Sequence, residues 1–397
     1  MALNFNFEWA LCACVGIYLI GCIVSTATKA KLPALFVTSI LFIIGFWTIL
    51  PPDIVITSGI KTVSDIGFLV VLVHVGTLFE LDDMKRDWKA VVVSLTAIVG
   101  ICALVGIVMT LLYGKDMALC AIPPLTGGGM ATMLMSQAAT DLGDTQASLL
   151  AIMILTLQTL FGFPLTAATL KQEAKRLLND GAVSKASTCV ASVTATNKKR
   201  LVERIPAKYR DTTFQLFTCV LIGAVAYWGG SILAPLTSNI VNRSLLAIIL
   251  GILAYSFGLI EKAPLSKAGA FPFLMLSLTL NLMTNLSAAT PQLILQTLLP
   301  LVLAFVLGLV SIWFVAPFVG GKIGYDKSIS RAVALNCFLG YPFNHQITLE
   351  AINASTEDPD ERKYLEEKLL PPMIIGGVVS VSVVSVLVAG ICLGFLG

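Results

Sequence analysis

The stretch Leu125-Thr126-Gly127-Gly128-Gly129-Met130-Ala131-Thr132 places three consecutive glycines at the end of an apolar segment. Glycine weakens a helix by about 1 kcal/mol relative to alanine. Backbone N–H and C=O groups released in hydrocarbon must be paired by protein, water or a ligand. Such a break belongs inside the protein or on a cavity wall. A second broken segment reads Cys337-Phe338-Leu339-Gly340-Tyr341-Pro342-Phe343-Asn344-His345. Helix N-termini that meet at such breaks expose unpaired N–H groups and roughly half a positive charge each, which suits an anionic group. Unwound carbonyls with Ser, Thr and Asn oxygens suit a small hard cation such as sodium. Candidates in the first segment are Thr126, Gly127, Gly128, Gly129, Thr132, Ser136 and Gln137. In the second they are Asn336, Gly340, Asn344, His345, Gln346 and Thr348. A tight glycine crossing of two helices, needing no ligand, is the competing use of the first.

Other chemistries lack their residues. No Lys or Arg falls in a span core, and no Asp-Asp or Glu pair sits mid-span, as a proton-relay pump would require. Asp65 and Glu80 lie at span ends, and Asp141 and Asp144 follow the first broken segment. All four read as solvated, with Asp141 the one to test. His74 either faces a cavity or packs. Thr279, Asn281 and Thr77 are weaker candidates. The nine cysteines, nearly all in apolar segments, form no CxxC and no Cys/His cluster, and read as small buried hydrophobes. There is no nucleophile–His–acid set, Walker loop or zinc spacing, and the glycine run is no GxGxxG after a strand. The expectation is a non-enzyme with no cofactor beyond a coupling ion.

The elements that must position these residues are membrane spans. Of 397 residues 57% are hydrophobic and 12% charged, and the mean hydropathy is +0.89. That excludes a soluble domain of this length. The long continuous apolar runs exclude an outer-membrane barrel, which alternates. A net charge of +3 is too weak for a nucleic-acid partner. The N-terminus has no basic n-region, carries Glu8, and is followed rather than preceded by Lys29 and Lys31. It reads as a retained first helix starting outside. Apolar runs fall at 9–28, 33–50, 64–79, 90–113 and 146–169, then at 212–234, 244–260, 268–283, 293–318 and 370–395. The broken segments lie at 117–140 and 332–352. Between the halves, 171–211 carries ten Lys/Arg against four acids and reads as a cytoplasmic linker.

The halves 1–170 and 212–397 repeat one pattern. Asp65-Ile66-Gly67-Phe68 through Thr77-Leu78 aligns with Lys267-Ala268-Gly269-Ala270 through Thr279-Leu280. A long apolar helix, a polar junction (Gly114-Lys115-Asp116 or Gly324-Tyr325-Asp326), a broken segment and a full span follow each. Duplicated halves with interrupted segments at matching places mark an inverted-repeat transporter. With both broken segments crossing, twelve spans leave 17 of 26 Lys/Arg inside; as re-entrant hairpins, ten spans leave 23 inside. The positive-inside rule favours the hairpins. The first then dips in from outside, the second from the cytoplasm, and both termini face out.

This pattern resembles the sodium/glutamate symporter family and, more distantly, the sodium-dependent 2-hydroxycarboxylate transporters. Residues 125–132 carry the likeness, with Cys337-Phe338, Ala351-Ile352-Asn353 and Leu370-Pro371-Pro372-Met373-Ile374-Ile375-Gly376-Gly377. The family's first hairpin has a His after its glycine pair where Met130 stands, and its second is richer in glycine. The resemblance implies a homodimer with a scaffold domain and a mobile substrate domain holding both hairpins, moving like an elevator. The expected function is sodium-coupled symport of a small organic anion, glutamate-like or a carboxylate, in a cell membrane. A proton-coupled or exchange carrier is the alternative, and a non-transporting sensor or scaffold is the alternative of another class.

Overall fold

The computed structural model describes residues 6–78, 87–127, 129–179, 201–237, 243–340 and 342–396. Nearly all of these are helical, and no strand occurs among them. The first half comprises α1 (Phe7–Ala27), α2 (Ala34–Thr48), a single turn Ile54–Thr57, α3 (Ile60–Gly76), α4 (Trp88–Tyr113), α5 (Lys115–Thr126), α6 (Gly129–Asp141) and α7 (Thr145–Asn179). The second half comprises α8 (Thr212–Leu236), α9 (Arg243–Ser256), a single turn Pro264–Lys267 and α10 (Phe271–Met283). It continues with α11 (Pro291–Lys322), α12 (Lys327–Ala334), α13 (Asn336–Leu339), α14 (Phe343–Asn353) and α15, which begins as Pro359–Val378 and runs on through Val379–Val384 and Ser385–Leu393. The order of elements is the same in both halves.

Among the described residues six helices are long and apolar enough to cross a bilayer: α1, α4, α7, α8, α11 and Phe271–Ala288, the last containing α10. The apolar helices α2 and α9 are shorter. Large side chains stand outward along them: Leu111 is 79% exposed, Leu299 72% and Trp228 70%. Water would charge about 25 cal/mol per Å² for that surface, whereas lipid solvates it without cost. The chain is an all-α membrane protein. Caps fix several helix starts: Asn6 accepts from Trp9 N–H, Asp211 from Phe214 N–H, and Asp358 from Asp360 and Glu361 N–H.

Packing divides into two apolar cores. One gathers buried residues of α3, α8, α9 and α10, including Val71, Val73, Cys219, Ile248 and Leu278. Here α3 and α9 approach backbone to backbone: a Cβ on Gly76 would stand 2.9 Å from Gly251 Cα. The larger core holds α4–α7 and α11–α15, with α1 and α2 against it.

The basic segments collect at one end. Lys171 donates to the Lys29 carbonyl, and Lys89 Nζ lies 3.4 Å from the Gly324 carbonyl oxygen. Arg176 pairs with Glu173 at 2.5 Å and with Asp326 at 3.5 Å. The opposite end is marked by Trp47 Nε1 donating to Ala289 O at 2.8 Å. Residues 171–179 continue α7, while 180–200 lie outside the described residues. Residues 201–211 form short turns docked at the basic end, with Val202 N–H bonded to Gly258 O at 2.7 Å and Arg210 to Glu261 at 2.7 Å.

Glu261 also pairs with Lys267. Burial pushes its carboxyl up, but the hydrogen bonds and charges of Lys267 and Arg210 outweigh that and hold it below the ordinary 4.5. A depressed carboxylate stabilises the fold above the unfolded value and loses that contribution as pH falls through the folded one. A Glu261→Gln variant should therefore melt lower than wild type at pH 7 in detergent, by the worth of about 1–3 kcal/mol for charged hydrogen bonds. The gap should close as pH drops below 4.5; a gap constant down to pH 3 would refute this role.

Candidate functional site

Each half contains a helix that stops, turns back and restarts. In the first, α5 ends at Thr126 and α6 begins at Gly129. At 12 and 13 residues, neither arm reaches the roughly 20 residues that cross a bilayer. The arms fold back on each other: Cys120 Sγ lies 3.9 Å from the Met135 carbonyl oxygen. Gly127 sits between them at φ +106°, a conformation that a side chain would strain. Pro123 and Pro124 near the end of α5 remove two further backbone donors.

The second break uses the same device. Gly340 has φ +70° after α13, and α14 restarts at Phe343. Asn336 and Asn344, four residues on either side of Gly340, both donate Nδ2–H to the Met373 carbonyl, at 3.0 and 2.5 Å. One carbonyl of α15 thereby clamps both arms. The start and finish of this segment share one end of the molecule, because Asp326 lies beside Arg176 and Glu350 accepts from Ser25 Oγ and Ala34 N–H.

The two breaks lie side by side. A Cβ on Gly308 of α11 would stand 3.2 Å from Phe338 Cζ and 3.9 Å from Leu125 Cδ2, and α5 touches α13 directly. Behind them, Gly162 of α7 faces Phe338 and Leu339, with its Cβ position 3.1 Å from Phe338 Cβ. The end of α5 and the start of the second break at α13 therefore lie in one region.

Of the sequence candidates, Thr126, Thr132, Asn336, Asn344, His345 and Thr348 are buried in this region, and Gly127 and Gly340 form the breaks. Gly129 opens α6, while Gly128 lies outside the described residues. Thr126 donates to Pro123 O and Thr348 to Asn344 O. Ser136 is engaged elsewhere, 2.7 Å from Ser148 Oγ, and Gln137 is exposed and bonded to Asp141. Gln346 bridges Thr279 Oγ1 at 2.9 Å and the Tyr18 hydroxyl at 2.7 Å. His74 is held by packing: Leu265 N–H donates to its Nδ1 at 3.2 Å, and the Phe271 ring lies 4.6 Å away. The same Phe271 ring meets His345 edge-on at 5.7 Å.

Beside the candidate Asn336, three residues that the sequence did not single out complete the surroundings. Asn336 Oδ1, Ser94 Oγ, Gln158 Oε1 and Thr166 Oγ1 are buried with no hydrogen-bond partner among the described residues. Ser94 and Asn336 both adjoin Gly376: a Cβ there would stand 3.1 Å from Ser94 Oγ and 2.8 Å from Asn336 Nδ2. Gln158 and Thr166 lie one turn on either side of Gly162 along α7, toward the second break. Buried polar atoms are usually paired; these four lie around the second break, while others, Thr38 and Ser64 among them, lie elsewhere. Only the glycine pair of 376–377 hinted at the close approach; Gln158 and Thr166 look like ordinary span residues.

Compared with known proteins, the chain matches no family model and no curated protein. The site rests on its geometry.

Gly376→Ala tests the clamp. Its methyl would press on Asn336 and on Val333 Cγ1 at 2.9 Å, an overpacking worth about 1–3 kcal/mol. The purified variant should melt several degrees lower than wild type. An unchanged melting point would show that α15 and α13 are not in this register.

Proposed function

We propose that this protein is a secondary active transporter, a sodium-coupled symporter of a small organic anion such as a glutamate-like amino acid or a carboxylate. The observation that carries the reading is the meeting of two glycine-broken helix pairs beside buried oxygens that lack partners. Broken helices are tolerated at membrane depth only where protein or a polar cavity pairs their backbone, and carriers place substrate and ions there.

In this reading both broken pairs are re-entrant hairpins of an inverted repeat. The common end shared by Asp326, Glu350, Lys171 and Arg176 supports it for the second hairpin, and its basic residues favour a cytoplasmic side for that end. The two apolar cores support a division into scaffold and mobile domain. The resemblance to sodium/glutamate symporters adds the homodimer and the elevator-like movement. Sodium binds first at hairpin carbonyls and hydroxyls and orders the tips. The anion then docks on the starts of α6 and α14. Each net charge moved inward gains about 2.3 kcal/mol per 100 mV, and a tenfold sodium gradient adds about 1.4 kcal/mol per ion. One or two ions suffice for useful accumulation.

The test is uptake into proteoliposomes, with a panel of labelled amino acids and carboxylates and an imposed sodium gradient. Sodium-driven uptake of an anion is expected, abolished in Gly127→Val with the protein still folded and inserted. Uptake that persists without sodium but collapses with a protonophore would overturn the coupling, and wild-type uptake by Gly127→Val would overturn the site. Orientation is checked separately. Cys189, retained as the sole cysteine, should be labelled only by reagents that reach the cytosol.

A further inference from the structure

A second polar space lies away from the hairpin tips. A cavity of about 680 Å³ opens between the α1–α2 corner and α14. Tyr18, Cys22, Ser25, Gln346, Glu350 and Asn353 are among the residues that line it. The corner itself is unusual: Lys29 and Ala30 adopt left-handed conformations, φ 51° and 49°, which cost non-glycine residues of order 1–3 kcal/mol each. Glu350 holds the corner in place. Its Oε1 accepts both from Ser25 Oγ and from Ala34 N–H. Its other oxygen, Oε2, has no hydrogen-bond partner among the described residues, and the residue lines the cavity.

Charge selects the occupant. The lining carries the carboxylates of Glu350 and Glu357 against the single cation Lys29. Lys171 on α7 stands near Glu350 but donates to the Lys29 carbonyl and does not line the space. A carboxylate oxygen left without a hydrogen bond on a cavity wall favours a counter-charge, which Lys171 supplies only from outside the lining. The nearby donors are hydroxyls and amides: Tyr18, Ser25, Gln346, Asn353 and Thr356, with Cys22 the only soft atom. An all-oxygen set selects a hard cation. A single anchoring carboxylate matches a single positive charge, whereas calcium sites gather several.

We propose that Glu350 anchors a sodium-binding site in this vestibule, with hydroxyl and amide oxygens of the lining and water completing the shell. The site is separate from the hairpin tips, and Gln346 links the two: it lies one turn before Glu350 on α14 and bonds both Tyr18 and Thr279. The inference rests on the carrier reading for what the ion drives, not for its binding.

Cys22 supplies a local readout, because it lines the same space. In a full-length chain with Cys22 as the only cysteine, its alkylation rate by N-ethylmaleimide is measured at one pH in sodium chloride and in choline chloride of equal ionic strength. At sodium ten times its dissociation constant, the reaction should slow about tenfold. Glu350→Gln keeps an acceptor for Ser25 and Ala34, so it should fold, and it should abolish the protection. Gly127→Val, which lies at the hairpin tip, should retain it. Equal protection in Glu350→Gln, protection by choline, or none in the parent would overturn the site. Sodium-driven anion uptake with Cys22 indifferent to sodium would sink this inference and leave the carrier reading intact. Glu350-dependent protection without any anion uptake would do the reverse.

Discussion

The structure depends on one constraint: a backbone released from its helix inside a bilayer must find partners within the protein. Gly127 and Gly340 release it at two points. Everything around them follows from enclosing those points. The arms on either side are too short to cross, so they fold back, and α4, α7, α11 and α15 wall them in. The walls come close because small residues face the breaks: Gly162 on α7, Gly308 on α11, Gly376 and Gly377 on α15. A side chain at any of these would push a helix away and reopen the break to lipid.

Enclosure does not satisfy every polar atom, and the exceptions are informative. The Met373 carbonyl takes hydrogen bonds from both Asn336 and Asn344, which fixes the second hairpin to α15. That clamp consumes the donors of Asn336 and leaves its carbonyl oxygen unpaired, with Ser94 Oγ unpaired beside the same glycine. A buried oxygen without a donor costs about 1–3 kcal/mol. Two such oxygens lie together here, with Gln158 and Thr166 unpaired nearby, and they are the polar atoms that the enclosure leaves over.

Much of this was legible in the chain. Hydropathy gave a helix for each expected span, and the glycine run located the first break. The repeat at 65–78 and 267–280 corresponds to α3 and α10, and the same succession of elements follows each. The second break was legible through its proline and glycine, although Tyr341 lies outside the described residues. Less legible was the use of individual polar residues. Ser136 carries the right atoms and points to Ser148 instead. His74, with two readings open, is spent on the Pro264–Lys267 turn. Conversely, Gln158, Thr166 and Ser94 look like incidental polar residues in apolar helices. Their direction depends on helix rotation and on contacts between distant halves, which local periodicity does not encode.

Glu350 illustrates the same limit and shows how the parts connect. In sequence it lies near the end of the second broken segment, 332–352, and nothing in the pattern singles it out. In the fold it is the contact between the strained corner at Lys29–Ala30 and the outgoing arm of the second hairpin. The second broken segment thus meets α1 and α2 through one carboxylate and the Gln346–Tyr18 bond, beside the apolar packing that α1 and α2 share with the larger core. Polar contacts of this kind are strong where water is excluded and weak where it enters, and here an aqueous-sized cavity adjoins them. These polar contacts supplement the apolar packing at the same seam, so whatever occupies the vestibule acts on the hydrogen bonds and leaves the apolar core unchanged.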